Sequence, residues 1–144
     1  MDEVADPVEV EDVVRRYYGI VSDLSSSADE LRAVLAPEVV IVEHPNALTA
    51  TGAQRDLAQS LEGFRRGKAL LREQGFVVHE VIVQGERAAV RATWRGVVGA
   101  SIGPLQEGQE LVAHVAAMLT VRDGLIARHE TFDCYEPFTT MPPR

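Results

Sequence analysis

Three observations predict an α+β fold. Capped segments with helical spacing dominate the chain up to Gly75. From Phe76 onward, β-branched and alternating residues dominate. Arg122-Asp123-Gly124 then carries a tight-turn signature between two of the later segments. Helices first and an antiparallel sheet afterwards place the chain among α+β domains.

The first helix is announced by Asp6-Pro7-Val8-Glu9: an N-cap, proline at the first helical position and an acid three residues past the cap. Val10, Val14, Tyr17 and Val21 follow at helical spacing, so Tyr17 points inward. Ser27-Ala28-Asp29-Glu30 is a second capping box; it opens a short helix with Leu31, Val34 and Leu35 inward, and Pro37 marks its end. The β-branched run Val39–Val42 reads as a buried strand that turns at Glu43-His44-Pro45-Asn46. Thr51-Gly52-Ala53-Gln54 is a third capping box, opening a long helix with Leu57, Leu61, Phe64 and Leu71 on one face and Gly75 as its stop. Gly63 and Gly67 on that helix suit a close backbone approach. Residues 76–83, 87–100, 109–121 and 125–134 read as four strands, broken between the middle two by Gly103-Pro104. One domain over residues 8–138 is expected, with an acidic lead-in at 1–7 and a tail at 139–144.

Composition narrows the function classes. The chain has 144 residues, with 22 acids against 14 bases, a net charge of −8. Residues 1–12 hold six acids and no base, leaving 16 acids against 14 bases in a nearly neutral body. A neutral body argues against a nucleic-acid partner, because phosphate binding needs a basic face. Arg65, Arg66, Lys68 and Arg72 are read as a solvated helix face. No run approaches the roughly 20 apolar residues that span a bilayer. The opening MDEVADPVEVED lacks the basic and apolar parts of a signal peptide, so a cytoplasmic location with no membrane contact is expected. Cys134 is alone and is read as a small buried hydrophobe. With no HxH or HExxH spacing, neither metal nor cofactor is expected.

Strand parity selects the candidate site. Along 109–121 one face carries Ala113, Val115, Ala117, Leu119 and Val121; the other carries Val112, His114, Ala116, Met118 and Thr120. Both faces look largely buried, and the second has the polar groups, so it is expected to face the pocket. A sheet covered on both sides implies helices on one and a second copy of the chain on the other, hence a homodimer. Glu43-His44, His79-Glu80 and His129-Glu130 are not dyads, since adjacent strand residues point to opposite faces. His79 is read as a surface residue of the sheet. The partner of His114 depends on the turn. If Asp123-Gly124 is a two-residue turn, Arg122 pairs with Leu125 and His114 faces Asp133, with Met118 facing His129. If Gly124 belongs to a three-residue loop with a bulge, Glu130 and Phe132 join the His114 face and Asp133 turns away.

The order of elements, with VVRRY on the first helix, VIVEHPN around the first strand and the ending RDGLIARHETFDCYEPF, resembles the nuclear transport factor 2-like superfamily. Within it the chain is most similar to the SnoaL-like, polyketide cyclase-like family. The resemblance covers roughly residues 8–138. It implies a cone: about three N-terminal helices packed into the concave face of a curved mixed or antiparallel sheet, around a pocket. In ketosteroid isomerases a tyrosine of the first helix is a hydroxyl donor, which maps to Tyr17. Their catalytic aspartate lies in Val-Glu-Asp-Pro; here Val42-Glu43-His44-Pro45 puts His44 at that position. Their second acid falls near Ala116, where none exists. Cyclases of the family use a last-strand aspartate about ten residues beyond the hairpin glycine, and Asp133 lies nine beyond Gly124. Limonene epoxide hydrolases need Arg-x-Asp, and Arg91-Ala92-Thr93 lacks the acid. Scytalone dehydratases set two histidines in one cavity, as His44 and His114 would be.

The expected function is cofactor-free acid–base catalysis (isomerase, cyclase or dehydratase type) on a small, largely apolar carbonyl compound. His44 removes a proton beside the carbonyl; Tyr17 and His114, paired with Asp133 or Glu130, steady the enolate or return the proton. Trp94, Met118, Leu61, Phe64, Phe132 and His129 form the ligand wall. The alternatives are a binding protein for an apolar ligand and a dimeric scaffold whose cone is filled by its own side chains.

Overall fold

The structure is a computed structural model that describes residues 6–138. Residues 1–5 of the expected lead-in and the tail at 139–144 lie outside the described residues. Helix α1 (Pro7–Ser22) begins at Asp6, whose side chain accepts the Val8 amide at 2.9 Å. It buries Val10, Val14 and Tyr17 at the expected spacing, and Tyr18 beside them. The Ser27–Glu30 capping box forms and starts α2 (Ala28–Arg32), with Leu31, Val34 and Leu35 buried as expected.

The later boundaries of the helical half move. Strand β1 (Leu35–Glu43) starts two residues before Pro37, so that proline lies in a strand and ends no helix. It sits where the pairing of β1 is irregular, between Leu35 and Val40, a place that tolerates a residue with no N–H to donate. Thr51–Gln54 does not cap a helix. Gly52 turns there at φ 70°, and a Cβ on it would lie 2.7 Å from the Glu43 carbonyl oxygen. That close turn lays β2 (Ala53–Arg55) antiparallel on the end of β1. The box that forms is Asp56–Gln59, opening α3 (Leu57–Leu70). The chain passes directly into β3 (Leu71–Gln84), so Leu71 and Gly75 belong to the strand, Gly75 pairing with Arg95. Sheet pairing overrides a propensity signal there. Gly63 and Gly67 allow no close backbone contact: Gly67 has nothing within 4 Å of a built Cβ, and Gly63 meets only the Arg55 side chain, at 3.8 Å.

Strands β4 (Arg87–Val98), β5 (Glu110–Arg122) and β6 (Leu125–Tyr135) complete a six-stranded sheet in the order β2-β1-β6-β5-β4-β3. Only the β1–β6 pair is parallel, so the sheet is mixed. The helices fill the concave face of this curved sheet, packing Val10, Val14 and Leu31 with Val90, Ala117 and Ile126. No helix among the described residues is long and apolar enough to cross a membrane.

The two faces of β5 are unlike, contrary to expectation. Ala113, Val115, Ala117, Leu119 and Val121 are buried under the helices, whereas His114 and Ala116 are exposed. Helices cover the apolar face because burial of that face is what holds them there. The outer face keeps apolar side chains in solvent: Val77 is 58% exposed, Ile82 59% and Phe132 42%.

The hairpin combines parts of both expected registers. Asp123 and Gly124 have φ of 54° and 75°, and Arg122 pairs with Leu125, as in a two-residue turn. Pairing then shifts: Val121 opposes Ile126 but Thr120 opposes Arg128, leaving Ala127 as an extra residue on β6. This bulge reverses the parity of everything after it. His114 therefore opposes Cys134, not Asp133, and Met118 opposes Glu130, not His129. Glu130 and Phe132 share the outer face with His114.

Candidate active site

A cavity of about 470 Å³ opens between the helices and the concave sheet face. Its apolar wall includes Phe64, Leu71, Phe76, Trp94, Leu111 and Val115. Trp94 is held in place: its indole N–H donates to Gln74 Oε1 at 3.0 Å, and Gln74 Nε2 donates to the Val21 carbonyl at 2.8 Å. The ring also needs Gly96, where a Cβ would come within 2.5 Å of it.

The polar wall comes from β1 and β6. The bulge at Ala127 turns His129, Thr131, Asp133 and Tyr135 toward the cavity, with Glu43 beside Thr131 on β1. Asp133 accepts the Thr131 hydroxyl at 2.6 Å. Burial raises the Asp133 carboxyl above the usual carboxylate range; the Thr131 bond opposes the shift and the Glu43 charge adds to it. Glu43 behaves oppositely. Burial raises it too, but bonds from Asn46 at 2.7 Å and Arg55 at 2.9 Å, with help from Thr49, outweigh burial and hold it low. Two carboxylates facing one cavity are thus driven apart, one toward carrying a proton and one toward permanent charge. Burial, then the charges of Asp133 and Glu43, raise the Tyr135 phenol, which stays a donor at neutral pH.

Beneath this wall, Tyr17 Oη and His129 Nδ1 lie 2.8 Å apart. His129 is 8% exposed, and burial pulls its imidazole from 6.5 down to about 4, so it is neutral at pH 7. Burial first, then the Asp133 charge, raises the Tyr17 hydroxyl. His129 Nε2 and Tyr18 Oη are buried without partners.

Of the expected site residues, Tyr17, Asp133, His129, Trp94 and Phe64 line the cavity. Leu61 is buried in the core and contributes no cavity surface. His44, His114, Glu130, Met118 and Phe132 are on the outer face. His44 bonds Glu130 at 2.8 Å and stacks on Phe132 with ring centroids 4.3 Å apart. His114 bonds Glu136 at 2.8 Å with its side chain 61% exposed. The pairing of His114 with Asp133 or Glu130, and the joint placement of His44 and His114 in one cavity, do not occur. Cys134 is exposed, not buried, because it shares the outward parity of Phe132. His79 lies on the sheet surface as expected, bonded to Thr93 at 2.7 Å. Sequence reading missed Glu43, Arg55, Thr131, Gln74 and Tyr135. A signal existed for part of this set: His129-x-Thr131-x-Asp133-x-Tyr135 places a polar residue at every second position of one strand. Among the described residues, no group of three His, Cys, Asp or Glu converges to hold a metal ion.

The sequence model of the SnoaL-like domain matches residues 14–129. Solved structures with this fold include IdmH from Streptomyces antibioticus, described as a candidate polyketide cyclase: 23% identity over 86% of this chain and 91% of that one, TM-score 0.72. A candidate SnoaL-like polyketide cyclase from Jannaschia sp. CCS1 shares 18% identity over 92% and 90%, TM-score 0.73. An LEH-like epoxide hydrolase from M. tuberculosis shares 15% identity over 90% and 84%, TM-score 0.67. No curated protein matches the chain.

Proposed function

The chain belongs to the SnoaL-like domain family, and from that premise we propose that its cavity is the site of a cofactor-free acid–base reaction on a small, largely apolar carbonyl compound. The observation that carries this reading is Asp133: a carboxyl on the cavity wall, raised by burial and held by Thr131. Asp133 takes the role that sequence reading gave to His44. It removes a proton from the carbon next to the carbonyl, leaving an enolate, and returns that proton to another position of the same molecule. Tyr135, kept protonated and hydrogen-bonded to no side chain among the described residues, donates to the developing oxyanion. Glu43, held ionised by its bonds from Asn46 and Arg55, places its own charge near Asp133, which favours the protonated form of Asp133 and so raises its basicity. The neutral Tyr17–His129 pair braces the wall from behind.

The test is hydrogen–deuterium exchange next to the carbonyl of an aryl ketone such as 1-tetralone, followed by NMR. Catalysed exchange that falls at least about a hundredfold in Asp133→Asn supports the reading. Exchange equal in both proteins rejects it and leaves the binding-protein reading, which the mostly apolar wall also suits.

We further propose that the outer sheet face pairs with a second copy of the chain, since it leaves Val77, Ile82 and Phe132 in solvent. Light scattering at micromolar concentration that gives twice the 15.7 kDa chain mass supports this; the mass of a single chain rejects it.

A further inference from the structure

The cavity holds two cations that differ in how they are compensated. Arg55 is neutralised by Glu43 at 2.9 Å. Lys68, the chain's only lysine, lines the same cavity from α3 and has no ion-pair partner among the described residues. Its ammonium donates to the Ser26 carbonyl, a neutral group, and lies 5.3 Å from the Phe64 ring centroid. The carboxylate that feels its charge is Asp23, which is in solvent and already bonded to Ser25.

Room exists beside this cation. Gly67 precedes Lys68 and Gly63 lies one turn back, and both line the cavity. Gly67 has open space where a Cβ would be, and Gly63 meets only Arg55. Glycine inside a helix is less favourable than alanine, and no backbone packs against these two to require it. Their effect is to widen the cavity along the lysine side of α3. A half-buried ammonium with a neutral partner, next to open volume, is built to accept an anion.

We propose that the molecule bound in the cavity carries a carboxylate that pairs with Lys68, so that the substrate class is an apolar keto acid. This rests on the cavity being the ligand site. Lys68 holds the acid from the helix wall while the carbonyl end faces Asp133 and Tyr135 on the sheet wall. Lys68 is a binding residue here.

The experiment compares 3-benzoylpropionate with its uncharged methyl ester by titration calorimetry at low ionic strength, with quenching of the single tryptophan, Trp94, as a second readout of binding in the cavity. The wild-type protein is expected to bind the acid at least about tenfold more tightly than the ester. Lys68→Met is expected to remove that preference by weakening the acid alone, and Lys68→Arg to retain it. Cooperative thermal melts show that each variant is folded, and Lys68→Gln serves if the methionine variant is not. Equal binding of acid and ester by the wild type, equal weakening of both by Lys68→Met, or binding of neither probe overturns the proposal. If the ester binds and undergoes Asp133-dependent exchange while the acid has no advantage, the anion proposal fails and the acid–base reading stands. Lysine-dependent acid binding without exchange of either probe upholds the anion proposal and rejects the acid–base reading.

Discussion

The two faces of the sheet carry similar residue types in opposite circumstances. On the outer face, His44 meets Glu130 and His114 meets Glu136, each at 2.8 Å, with side chains 37% and 61% exposed for the two histidines. On the inner face, burial raises Asp133 and lowers His129 to about 4, while bonds from Asn46 and Arg55 overcome burial and hold Glu43 low. A histidine–carboxylate contact in water stabilises the protein by only about a fraction of a kcal/mol. Under the helical cover, Asp133 is shifted toward its protonated form, Glu43 toward its anion and His129 toward the neutral imidazole. What distinguishes a site from an ion pair here is which side of the strand the residue occupies.

One residue decides that, and the largest prediction follows from it. Insertion of one alanine between Arg128 and His129 shifts the pairing beyond the bulge by one residue and turns Glu130, Phe132 and Cys134 inward and Asp133 outward. Burying an unpaired carboxylate and exposing the polar row costs several kcal/mol. The expected outcome is loss of the cooperative thermal transition; a folded variant with an intact cavity would show that this register does not set the faces.

The buried histidine gives the next largest effect. Its folded pKa, about 4, lies below its ordinary 6.5. As pH falls from about 6.5, the unfolded chain takes up a proton that the folded chain refuses, so stability declines until about pH 4. The full difference is about 3 kcal/mol. His129→Gln is expected to flatten this part of a stability–pH curve measured by urea unfolding.

A smaller effect belongs to α3. Gly67→Ala meets open space and is expected to stabilise the protein by about 0.5–1 kcal/mol, seen as a higher Tm, while narrowing the cavity. A lower Tm would mean that Gly67 is in close contact after all.

Much of the fold was legible in the sequence because its signals are local. The N-cap at Asp6, the capping box at Ser27–Glu30, the four later strands and the two-residue turn at Asp123-Gly124 each depend on neighbours in sequence. Where two local signals compete, the outcome is set by packing: Thr51 lost to Asp56 because Gly52 turns β2 onto β1. The site was less legible. Parity reasoning correctly split Glu43 from His44 and His129 from Glu130, yet His44 was preferred to Glu43, and Glu130 was kept as a candidate acid beside His129. The pocket was sought on the polar face of β5, whereas its acids, Glu43 and Asp133, sit on β1 and β6 and β5 supplies only apolar wall. An irregularity such as the Ala127 bulge has no marker in the local sequence, and every assignment on β6 beyond it depends on it.

The most direct measurement of the central claim is deuterium exchange next to the carbonyl of 1-tetralone by four proteins: wild type, Asp133→Asn, His44→Ala and His114→Ala. If the inner face carries the chemistry, the asparagine variant loses at least about a hundredfold, and the two histidine variants stay within about twofold of wild type. A large loss in either histidine variant, with Asp133→Asn retaining exchange, would contradict the account and return the chemistry to the outer face.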